Sequence, residues 1–296
     1  MSNHEAGQPM PPDVTASATS PAVVFDHVAF AFDDHIVLRD ISFSVPKGGM
    51  KILFGASGAG KSVVLKLILG LLRPDAGRIF VDGQRIDNRS EGELLRIRAH
   101  IGMMFQENAL FDSLTVEENV GYRLYEETDM PDDQALGRVE EVLGFVGLGE
   151  YIDRMPSELS GGQRRRVAIA RAMAAKPDLL LFDDPTTGLD PVIATTVDDE
   201  IVKLRDLEHV TSIVVTHQIR DAFYIATHEA VRTNGRLQIA SAPELKIETK
   251  TDTKVAGAEF MVLHDGRILF EGSAAELLAS RDSYLREFLF MTLPPW

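Results

Sequence analysis

The feature that most constrains this chain is a glycine-rich segment, Gly55–Ser62, which reads G-x-x-x-x-G-K-S. An apolar run at Met50–Phe54 precedes it and a second at Val63–Leu72 follows it, which predicts a buried strand, a loop and a buried helix. Small residues let consecutive backbone N–H groups close around phosphate oxygens, and the positive end of the helix faces the same charge. In loops of this pattern the lysine reaches the β- and γ-phosphates and the serine ligates Mg²⁺. The segment therefore predicts a phosphate-binding loop (P-loop).

A pair of acidic residues, Asp183 and Asp184, ends another apolar run at Leu179–Phe182. After a P-loop, an acid at the end of a buried strand is placed to hold Mg²⁺, which is the role we expect for Asp183. Without a P-loop the same acid would more often be a turn or cap residue. Strands and helices alternate around both segments, so the sequence predicts an α/β fold with a parallel sheet and crossover helices.

Patterning predicts a folded domain at 22–290, between a flexible N-terminal tail at 1–21 and a short C-terminal tail at 291–296. A mostly helical stretch at about 107–166 is predicted to be inserted into the sheet domain. The other predicted strands are Val23–Phe32, Ile36–Val45 and Ser212–Val215, with hairpins at Gly77–Ile86, Val231–Ile239 and Glu259–Glu271. The other predicted helices are Val116–Glu127, Pro131–Val146, Gln163–Ala175, Pro191–Asp206 and Gln218–Thr227.

Charge and composition exclude several classes of protein. The chain has 30 Lys and Arg against 45 Asp and Glu, a formal net charge of −15, which argues against a sequence-independent nucleic-acid binder. It has no Cys, so disulfides, Cys-zinc sites and thiol nucleophiles are excluded. No apolar run reaches the ~18 to 20 residues of a membrane span, and residues 1–21 lack the basic start and apolar stretch of a signal peptide. We therefore expect a protein that is cytoplasmic or peripheral to a membrane.

Further motifs occur in a fixed order around these two segments. Between them lie Gln106 and the stretch Leu159–Gln163, which reads Leu-Ser-Gly-Gly-Gln; after them come Gly188–Asp190 and His217, and Phe32 precedes them all. The full set resembles the ATP-binding cassette (ABC) ATPases. In that family the corresponding residues are the Q-loop, the signature, the D-loop, the switch histidine and the aromatic residue beneath adenine. The resemblance covers nearly all of the chain after the N-terminal tail.

The resemblance implies a fold and a set of ligands. The fold would be a P-loop NTPase (RecA-like) core with an antiparallel β-subdomain and an inserted helical ABC subdomain, and the cofactors would be ATP and Mg²⁺. The implied catalytic residues are Asp184, His217 and Gln106, and the implied Mg²⁺ ligands are Ser62, Gln106 and Asp183. The implied ATP-binding residues are Phe32, Gly55, Ala56, Ser57, Gly58, Ala59, Gly60, Lys61, Ser62 and Val63. In a head-to-tail homodimer, the residues implied to face the ATP of the other subunit are Leu159, Ser160, Gly161, Gly162 and Gln163, accompanied by Asp190 of the D-loop.

Asp184 departs from the family pattern, which usually has Glu at this position to polarise the attacking water or accept its proton. Aspartate is shorter by one methylene, about 1.5 Å, whereas a general base must come within ~3 Å of its proton, directly or through one water. Two interpretations stay open. One is slow ATP hydrolysis in which Asp184 still acts. The other is an ATP-binding switch with weak hydrolysis that signals to a cell-envelope enzyme through a membrane partner.

Three segments narrow the resemblance to one group of ABC ATPases. Met104–Val120, Met155–Gly162 and Ser283–Leu289 are similar to the corresponding parts of the ATPases of Mla/Mce-type phospholipid transporters. That similarity implies two copies of the chain beneath a transmembrane permease, at the cytoplasmic face of the inner membrane. It also implies an MCE-domain substrate-binding protein as a partner, no nucleic acid, and transport of phospholipid or another hydrophobic molecule between membranes.

Three further expectations concern contacts with partners and chain segments outside the motifs. Ala109, Leu110 and Phe111 are the candidate contacts with the permease, and internal packing of the helical subdomain is the equally open alternative. The segment at about 235–258 departs from the family pattern as an insertion. Trp296, the single Trp of the chain, is either a docking anchor or part of a frayed terminus.

Overall fold

The computed structural model describes residues 20–233, 236–241 and 258–292. The strands are β1 (Val23–Phe32), β2 (His35–Val45), β3 (Met50–Phe54), β4 (Ala76–Val81), β5 (Gln84–Arg85), β6 (Ile101–Met104), β7 (Leu179–Asp183), β8 (Thr211–Thr216), β9 (His228–Thr233), β10 (Arg236–Ser241), β11 (Glu259–His264) and β12 (Arg267–Gly272). The α-helices are α1 (Lys61–Ile68), α2 (Glu91–Arg98), α3 (Val116–Glu127), α4 (Asp132–Phe145), α5 (Gly161–Ala174), α6 (Pro191–Lys203), α7 (Ile219–Thr227), α8 (Ala274–Leu278) and α9 (Ser283–Thr292). Within the described residues, none of the helices is both long and apolar enough to cross a membrane.

The larger sheet brings the ends of β3, β7 and β8 to one edge. Its strand order is β12-β11-β3-β8-β7-β6, with β12 antiparallel to β11 and all other neighbours parallel. Every residue of β3, β7 and β8 is buried, which explains why these strands are mostly apolar and lack the polar–apolar alternation of a half-exposed strand. The register pairs Phe54 with Thr216 and Asp183 with Val215. The residues that follow these strands therefore meet where open parallel sheets bind their ligands.

A second sheet is antiparallel throughout, in the order β2-β1-β4-β5, and it confirms the expected β-subdomain. Phe25 and Phe43 stack with ring centroids 4.6 Å apart, and the sheet shares a buried apolar cluster with α1. Asp82 and Gly83 form the turn between β4 and β5 with positive φ values of 48° and 75°, as a two-residue hairpin requires. The end of β1 and the start of β2 consequently lie beside the P-loop.

Helices α3, α4 and α5 form the helical subdomain around buried side chains that include Val120, Leu124, Val139, Leu143 and Val167. The bounds of α3 are those predicted, and the ends of α4 and α5 differ from the predictions by one or two residues. Past residue 166, α5 packs against β6, where the backbone oxygen of Ala172 approaches Gly102. The helix that begins at the signature therefore belongs to both the helical subdomain and the core.

The helix after the P-loop starts and ends earlier than predicted. It spans Lys61–Ile68 and not Val63–Leu72, because Gly60 already caps it within the glycine-rich loop. Gly70 follows with a φ of 63°, a left-handed conformation that ends helices. The apolar run was longer than the helix because the last of its residues pack as irregular chain.

Other predicted bounds are also wrong. The prediction omits α2 and β6, because both are short and the only buried residues of α2 are Leu94 and Ile97, too few to show a helical period. The helix predicted to reach Asp206 ends at Lys203, where the chain widens into a π-helical turn. Helix α9 continues to Thr292, two residues into the segment at 291–296 that was predicted to be a tail.

Some predictions lie wholly or partly outside the described residues. They concern the N-terminal tail up to residue 19, the turn at 234–235, most of the insertion at 242–257, and Trp296. Of the predicted insertion, β10 is described and pairs antiparallel with β9 from Thr233 to His228.

Candidate nucleotide-binding site

Gly60 gives the P-loop its shape. It caps α1 in a left-handed conformation with a φ of 96°. A Cβ atom at this position would lie 2.9 Å from Leu38 and 3.0 Å from Val37, so glycine alone fits both the backbone angle and the space. The start of β2 therefore packs directly against the start of α1.

Lys61 lies in the first turn of α1 with its ammonium group over the loop. Its Nζ donates to the backbone oxygens of Gly55 at 2.9 Å and Ala56 at 3.0 Å. Burial lowers the pKa of Lys61, and the carboxylates of Asp184 and Asp183 oppose that change. A partly desolvated cation is stabilised by an anionic ligand, and a phosphate group supplies that charge.

The candidate Mg²⁺ ligands are oxygen atoms at the end of β7 and the start of α1. Ser62 Oγ donates to Asp183 Oδ1 at 2.9 Å. Asp183 is buried, and burial raises the pKa of its carboxyl group. A buried carboxylate beside a hydroxyl oxygen fits the ligand preference of Mg²⁺, whose charge would offset the desolvation. The third predicted ligand, Gln106, lines the same cleft as Ser62.

The P-loop opens into a cleft of about 510 Å³ that gathers residues from distant parts of the chain. The lining residues are Phe32, His35, Val37, Ser57, Gly58, Gly60, Lys61, Ser62, Val63, Gln106, Asp184 and His217. Phe32 is 48% exposed and packs edge-on against Phe30 with ring centroids 4.8 Å apart, so its ring is accessible to a ligand. The structure thus brings the predicted aromatic, P-loop, Q-loop and switch-histidine residues around one space, and their individual roles stay predictions.

Backbone contacts of Gly55 and Ala59 fix the conformation of the rest of the P-loop. A Cβ atom on Gly55 would lie 2.3 Å from the backbone oxygen of Leu263, so β11 packs directly under the loop. The N–H of Ala59 donates to the oxygen of Ala56 at 3.2 Å, which closes a turn within the loop.

Asp184 and His217 form a direct pair at the edge of the cleft. Asp184 Oδ1 accepts a hydrogen bond from the backbone N–H of His217 at 3.0 Å and lies 2.8 Å from His217 Nδ1. Asp184 has a left-handed φ of 46°, and its own N–H donates to the oxygen of Val215 at 2.8 Å. Such a backbone conformation costs about 1–3 kcal/mol outside glycine and persists where surrounding bonds hold it. The pair joins the ends of β7 and β8 and presents a carboxylate and an imidazole to the cleft.

The signature residues lie at the N-terminus of α5 and are not among the described residues that line the cleft. Ser160 and Gln163 form a capping box, in which the N–H of Gln163 donates to Ser160 Oγ at 3.3 Å and the N–H of Ser160 donates to Gln163 Oε1 at 2.8 Å. Gly162 is buried against α6, where a Cβ atom would lie 2.2 Å from Ile193. The predicted motif therefore also sets how closely α5 and α6 pack.

The remaining motif residues lie beside this cap. Leu159 is buried, and a Cβ atom on the half-buried Gly161 would lie 3.2 Å from Leu189 of the D-loop. Asp190 caps α6 by accepting two N–H groups of its first turn, each at 3.1 Å. Contact of these residues with a nucleotide on another subunit stays a prediction.

Sequence reasoning missed three residues of the site. His35 and Val37 line the cleft from β2, and no motif marks them because only the packing of the two sheets brings them there. Arg165 is buried behind the cleft and donates to the backbone oxygens of Gln106 and, at 2.8 Å, of Thr187. Its place two residues after the signature was the available signal, but it lies among three consecutive arginines.

The candidate permease contacts divide between surface and interior. Leu110 is partly buried and packs against the helical core, whereas Phe111 is 43% exposed. Phe111 packs on Tyr122 with ring centroids 4.8 Å apart and lies 5.9 Å from the guanidinium carbon of Arg171. Ala109 is exposed, and its oxygen accepts from Arg171 at 2.8 Å.

Comparison with known sequences decides the family. The profile described as ABC transporter matches residues 38–187, about half of the chain. This chain belongs to the ABC transporter family. It is 36% identical over 268 residues to the sulfate/thiosulfate import ATP-binding protein CysA of Synechocystis sp., a match that covers 89% of this chain and 73% of CysA. It is 34% identical over 263 residues to the intermembrane phospholipid transport system ATP-binding protein MlaF of Haemophilus influenzae, which covers 89% of this chain and 88% of MlaF.

Comparison of structures agrees with the family. The dimeric structure of a post-hydrolysis state of the ATP-binding cassette MJ0796, bound to ADP and Pi, is 28% identical to this chain. The two superpose with a TM-score of 0.67, over 85% of this chain and 98% of that cassette. The present ABC protein is therefore an ATP-binding transporter subunit and an ATPase, and its P-loop NTPase fold is confirmed.

Proposed function

We propose that this ABC ATPase drives movement of phospholipid or another hydrophobic molecule between membranes, as part of an Mla/Mce-type transporter. The observation that carries the proposal is the matched length. The two relatives have similar identities of 34% and 36%, but the alignment covers 88% of MlaF and leaves about a quarter of CysA unmatched. The resemblance of three separate segments to the Mla/Mce group supports the same choice.

ATP is proposed to occupy the cleft at the P-loop. Phe32 would lie against adenine, Lys61 and the loop N–H groups would hold the phosphates, and Ser62, Asp183 and Gln106 would hold Mg²⁺. Bound Mg²⁺ would neutralise charge on the phosphate oxygens. The lowered pKa of the Lys61 ammonium and the raised pKa of the Asp183 carboxyl, both caused by burial, indicate a site that gains stability from a bound anion and a bound cation.

Asp184 is proposed to be the base in ATP hydrolysis, with His217 as its partner. One oxygen of Asp184 is already hydrogen-bonded to His217, so the short side chain is directed and its reach toward a water molecule is limited. A base that works through a second water, or at a longer distance, gives slower proton transfer. We therefore propose slow hydrolysis in the isolated chain.

The working form is proposed to be a head-to-tail homodimer. Ser160 and the glycines after it lie at the N-terminus of α5, where free N–H groups and the helix dipole attract an anion. They do not line the cleft of their own chain, so a second copy would bring them to the γ-phosphate. The related cassette with bound ADP and Pi is likewise dimeric.

The dimer is proposed to lie at the cytoplasmic face of the inner membrane, beneath a transmembrane permease and with an MCE-domain protein as a further partner. Phe111 is the exposed aromatic residue among the three candidate permease contacts and lies beside the exposed ring of Tyr122. Aromatic side chains of this kind are favoured at the centres of protein interfaces.

The test of transport uses the chain purified with its co-expressed membrane partners in liposomes that carry a labelled phospholipid. We expect ATP-dependent transfer of the label to acceptor vesicles by the wild-type complex and none by the Lys61→Ala complex, whose phosphate site lacks its cation. Transfer that does not require ATP, or an active complex that never binds lipid, would overturn the lipid assignment and leave the ATPase assignment intact.

The test of Asp184 compares ATP hydrolysis by the wild type, Asp184→Glu and Asp184→Asn. We expect Glu to raise turnover, because its carboxylate reaches farther, and Asn to abolish it. ATP binding without turnover in the wild type, even with its membrane partners, would favour the alternative of an ATP-binding switch that signals to a cell-envelope enzyme.

A further inference from the structure

A buried polar network lies directly behind the pair formed by Asp184 and His217. Thr186 and Asp221 are 0% and 1% exposed, and Thr186 Oγ1 donates to Asp221 Oδ2. Gln218 Nε2 donates to the same hydroxyl oxygen at 3.1 Å. Thr186 follows Asp184 by two residues, and Gln218 directly follows His217. One hydroxyl group therefore joins the two segments that carry the pair.

The Thr186 hydroxyl acts as a donor and as an acceptor at the same time. A threonine hydroxyl has one proton, which Thr186 gives to Asp221, so its oxygen is free to accept from Gln218. The backbone N–H of Gln218 donates to Thr216 Oγ1 at 3.0 Å, which stabilises the turn after β8. Loss of the Thr186 hydroxyl would leave a buried acceptor and a donor unpaired.

Asp221 makes few other polar contacts within the described part of the chain. Its Oδ1 has no hydrogen-bond partner within the described part of the chain, and Arg220 approaches it at 3.8 Å. The neighbouring Asp198 of α6 is fully buried, and neither of its oxygens has a described hydrogen-bond partner. Burial of a carboxyl group is costly unless a partner compensates, and the compensating partner of Asp221 is Thr186.

We propose that Thr186, anchored by Asp221, is a positioning residue that holds Asp184 and His217 at their working separation. The proposal rests on the proposed roles of Asp184 and His217 in hydrolysis. The left-handed backbone of Asp184 is held by the bond from its N–H to Val215 and by the N–H of Thr187, which donates to the oxygen of Asp184 at 3.3 Å directly after Thr186.

The test compares Thr186→Val, which keeps the shape and removes the hydroxyl, with Thr186→Ser, which keeps the hydroxyl. For Thr186→Val we expect kcat for ATP hydrolysis to fall between about tenfold and about a hundredfold, with KM for ATP within about twofold of wild type. KM is expected to stay nearly constant because the substitution leaves the P-loop and Phe32 unchanged. Thr186→Ser is expected to restore most of the rate. Thr196→Val is the matched control, because that exposed hydroxyl donates within α6 to Ile193 at 2.7 Å.

A second arm uses Asp221→Val alone and combined with Thr186→Val. If both residues act through one bond, the double variant loses no more kcat than either single variant. The proposal would be overturned if the kcat losses of the two single variants multiply in the double variant. It would also be overturned if Thr186→Ser loses as much kcat as Thr186→Val, or if folded Thr186→Val keeps the kcat of the wild type. If the valine variants do not fold, Asp221→Asn keeps an acceptor oxygen and must keep kcat within about threefold for the proposal to stand.

The same assay separates this inference from the proposed roles of the pair. Full activity in both Asp184→Asn and His217→Ala would remove those roles. Activity lost in these two variants but kept in Thr186→Val would remove the positioning role alone.

Discussion

The perturbation we develop in depth is Asp198→Asn, at a buried carboxyl group behind the nucleotide site. Asp198 lies on α6, is 0% exposed, and has no hydrogen-bond partner for either oxygen among the described residues. Burial, followed by the nearby charge of Asp221 and a smaller contribution from Asp199, raises its pKa to about 9, and Arg220 opposes the rise. At neutral pH the carboxyl group is therefore protonated in the folded chain and ionised in the unfolded chain.

The sign and size of the effect follow from proton linkage. The folded state holds a proton that the unfolded state releases, so the free energy of unfolding falls as the pH rises from 3.8 to about 9. Each pH unit in this window lowers it by about 1.4 kcal/mol, which amounts to about 4 kcal/mol at pH 7. Asparagine has the same shape and takes up no proton, so Asp198→Asn removes this loss. The buried amide offsets the gain by about 1–3 kcal/mol, which leaves a net gain of about 1–3 kcal/mol at pH 7.

The assay is urea unfolding of the nucleotide-free chain at pH 6, 7 and 8, followed by circular dichroism. The gain of Asp198→Asn over wild type should grow by about 1.4 kcal/mol per pH unit. Asp153→Asn, at an exposed position, is the matched control and should change stability by less than about 0.5 kcal/mol at every pH. A gain that does not depend on pH, or a loss at all three, would refute the reasoning, because Asp198 would then be ionised in the folded chain.

Three further predictions concern ligand contact and packing. Phe32→Ala should raise KM for ATP about tenfold with kcat nearly unchanged, because base stacking contributes about 1–3 kcal/mol; ATPase kinetics measure both. Glu271→Gln should lower the free energy of unfolding by about 1–2 kcal/mol in urea, because Lys51 is 1% exposed and Glu271 is its nearest carboxylate. Gly162→Ala should destabilise by about 1–3 kcal/mol, because its Cβ would lie 2.2 Å from a side-chain atom of α6, whereas Gly144→Ala, in open space on α4, should stabilise by up to about 1 kcal/mol in thermal unfolding.

Each of these has a result that would contradict it. A fall in kcat with unchanged KM would show that Phe32 does not contact the nucleotide, and Phe32→Tyr should behave as wild type. Glu127→Gln, in a more exposed ion pair, should lower the free energy of unfolding by less than about 0.5 kcal/mol. An equally small loss for Glu271→Gln would show that burial of Lys51 does not strengthen its ion pair. Equal stability changes for the two Gly→Ala variants would show that α5 and α6 can separate freely.

The elements predicted with correct bounds are those whose pattern is local. The strand before the P-loop and the helix α3 match their predictions, because continuous burial and helical periodicity leave a direct signal in the residues themselves. By contrast, α2 and β6 are short elements that become stable only against their neighbours, and no residue pattern separates them from irregular chain.

The chemical groups of the candidate site were predictable from motifs, but their mutual contacts were not. Asp184 was identified from its place after a buried strand and His217 from its place in an ordered set of motifs. Their hydrogen bond at 2.8 Å requires β7 and β8 to be adjacent, and β8 also lies beside β3 in the sheet. The roles of Thr186 and Asp221 could not be found at all, because neither belongs to a motif that the sequence displayed.

The sequence by itself determined that this chain is an ABC ATPase, because each motif is a short local stretch of residues and the motifs occur in a fixed order along the chain. The tertiary structure alone decided which side chains meet. Parallel strands order themselves by burial and crossover connections and not by chain order, so residues far apart in sequence are placed at one sheet edge. For the same reason Thr186 could become the link between two loops, since its hydroxyl has partners only after β7, β8 and α7 have packed.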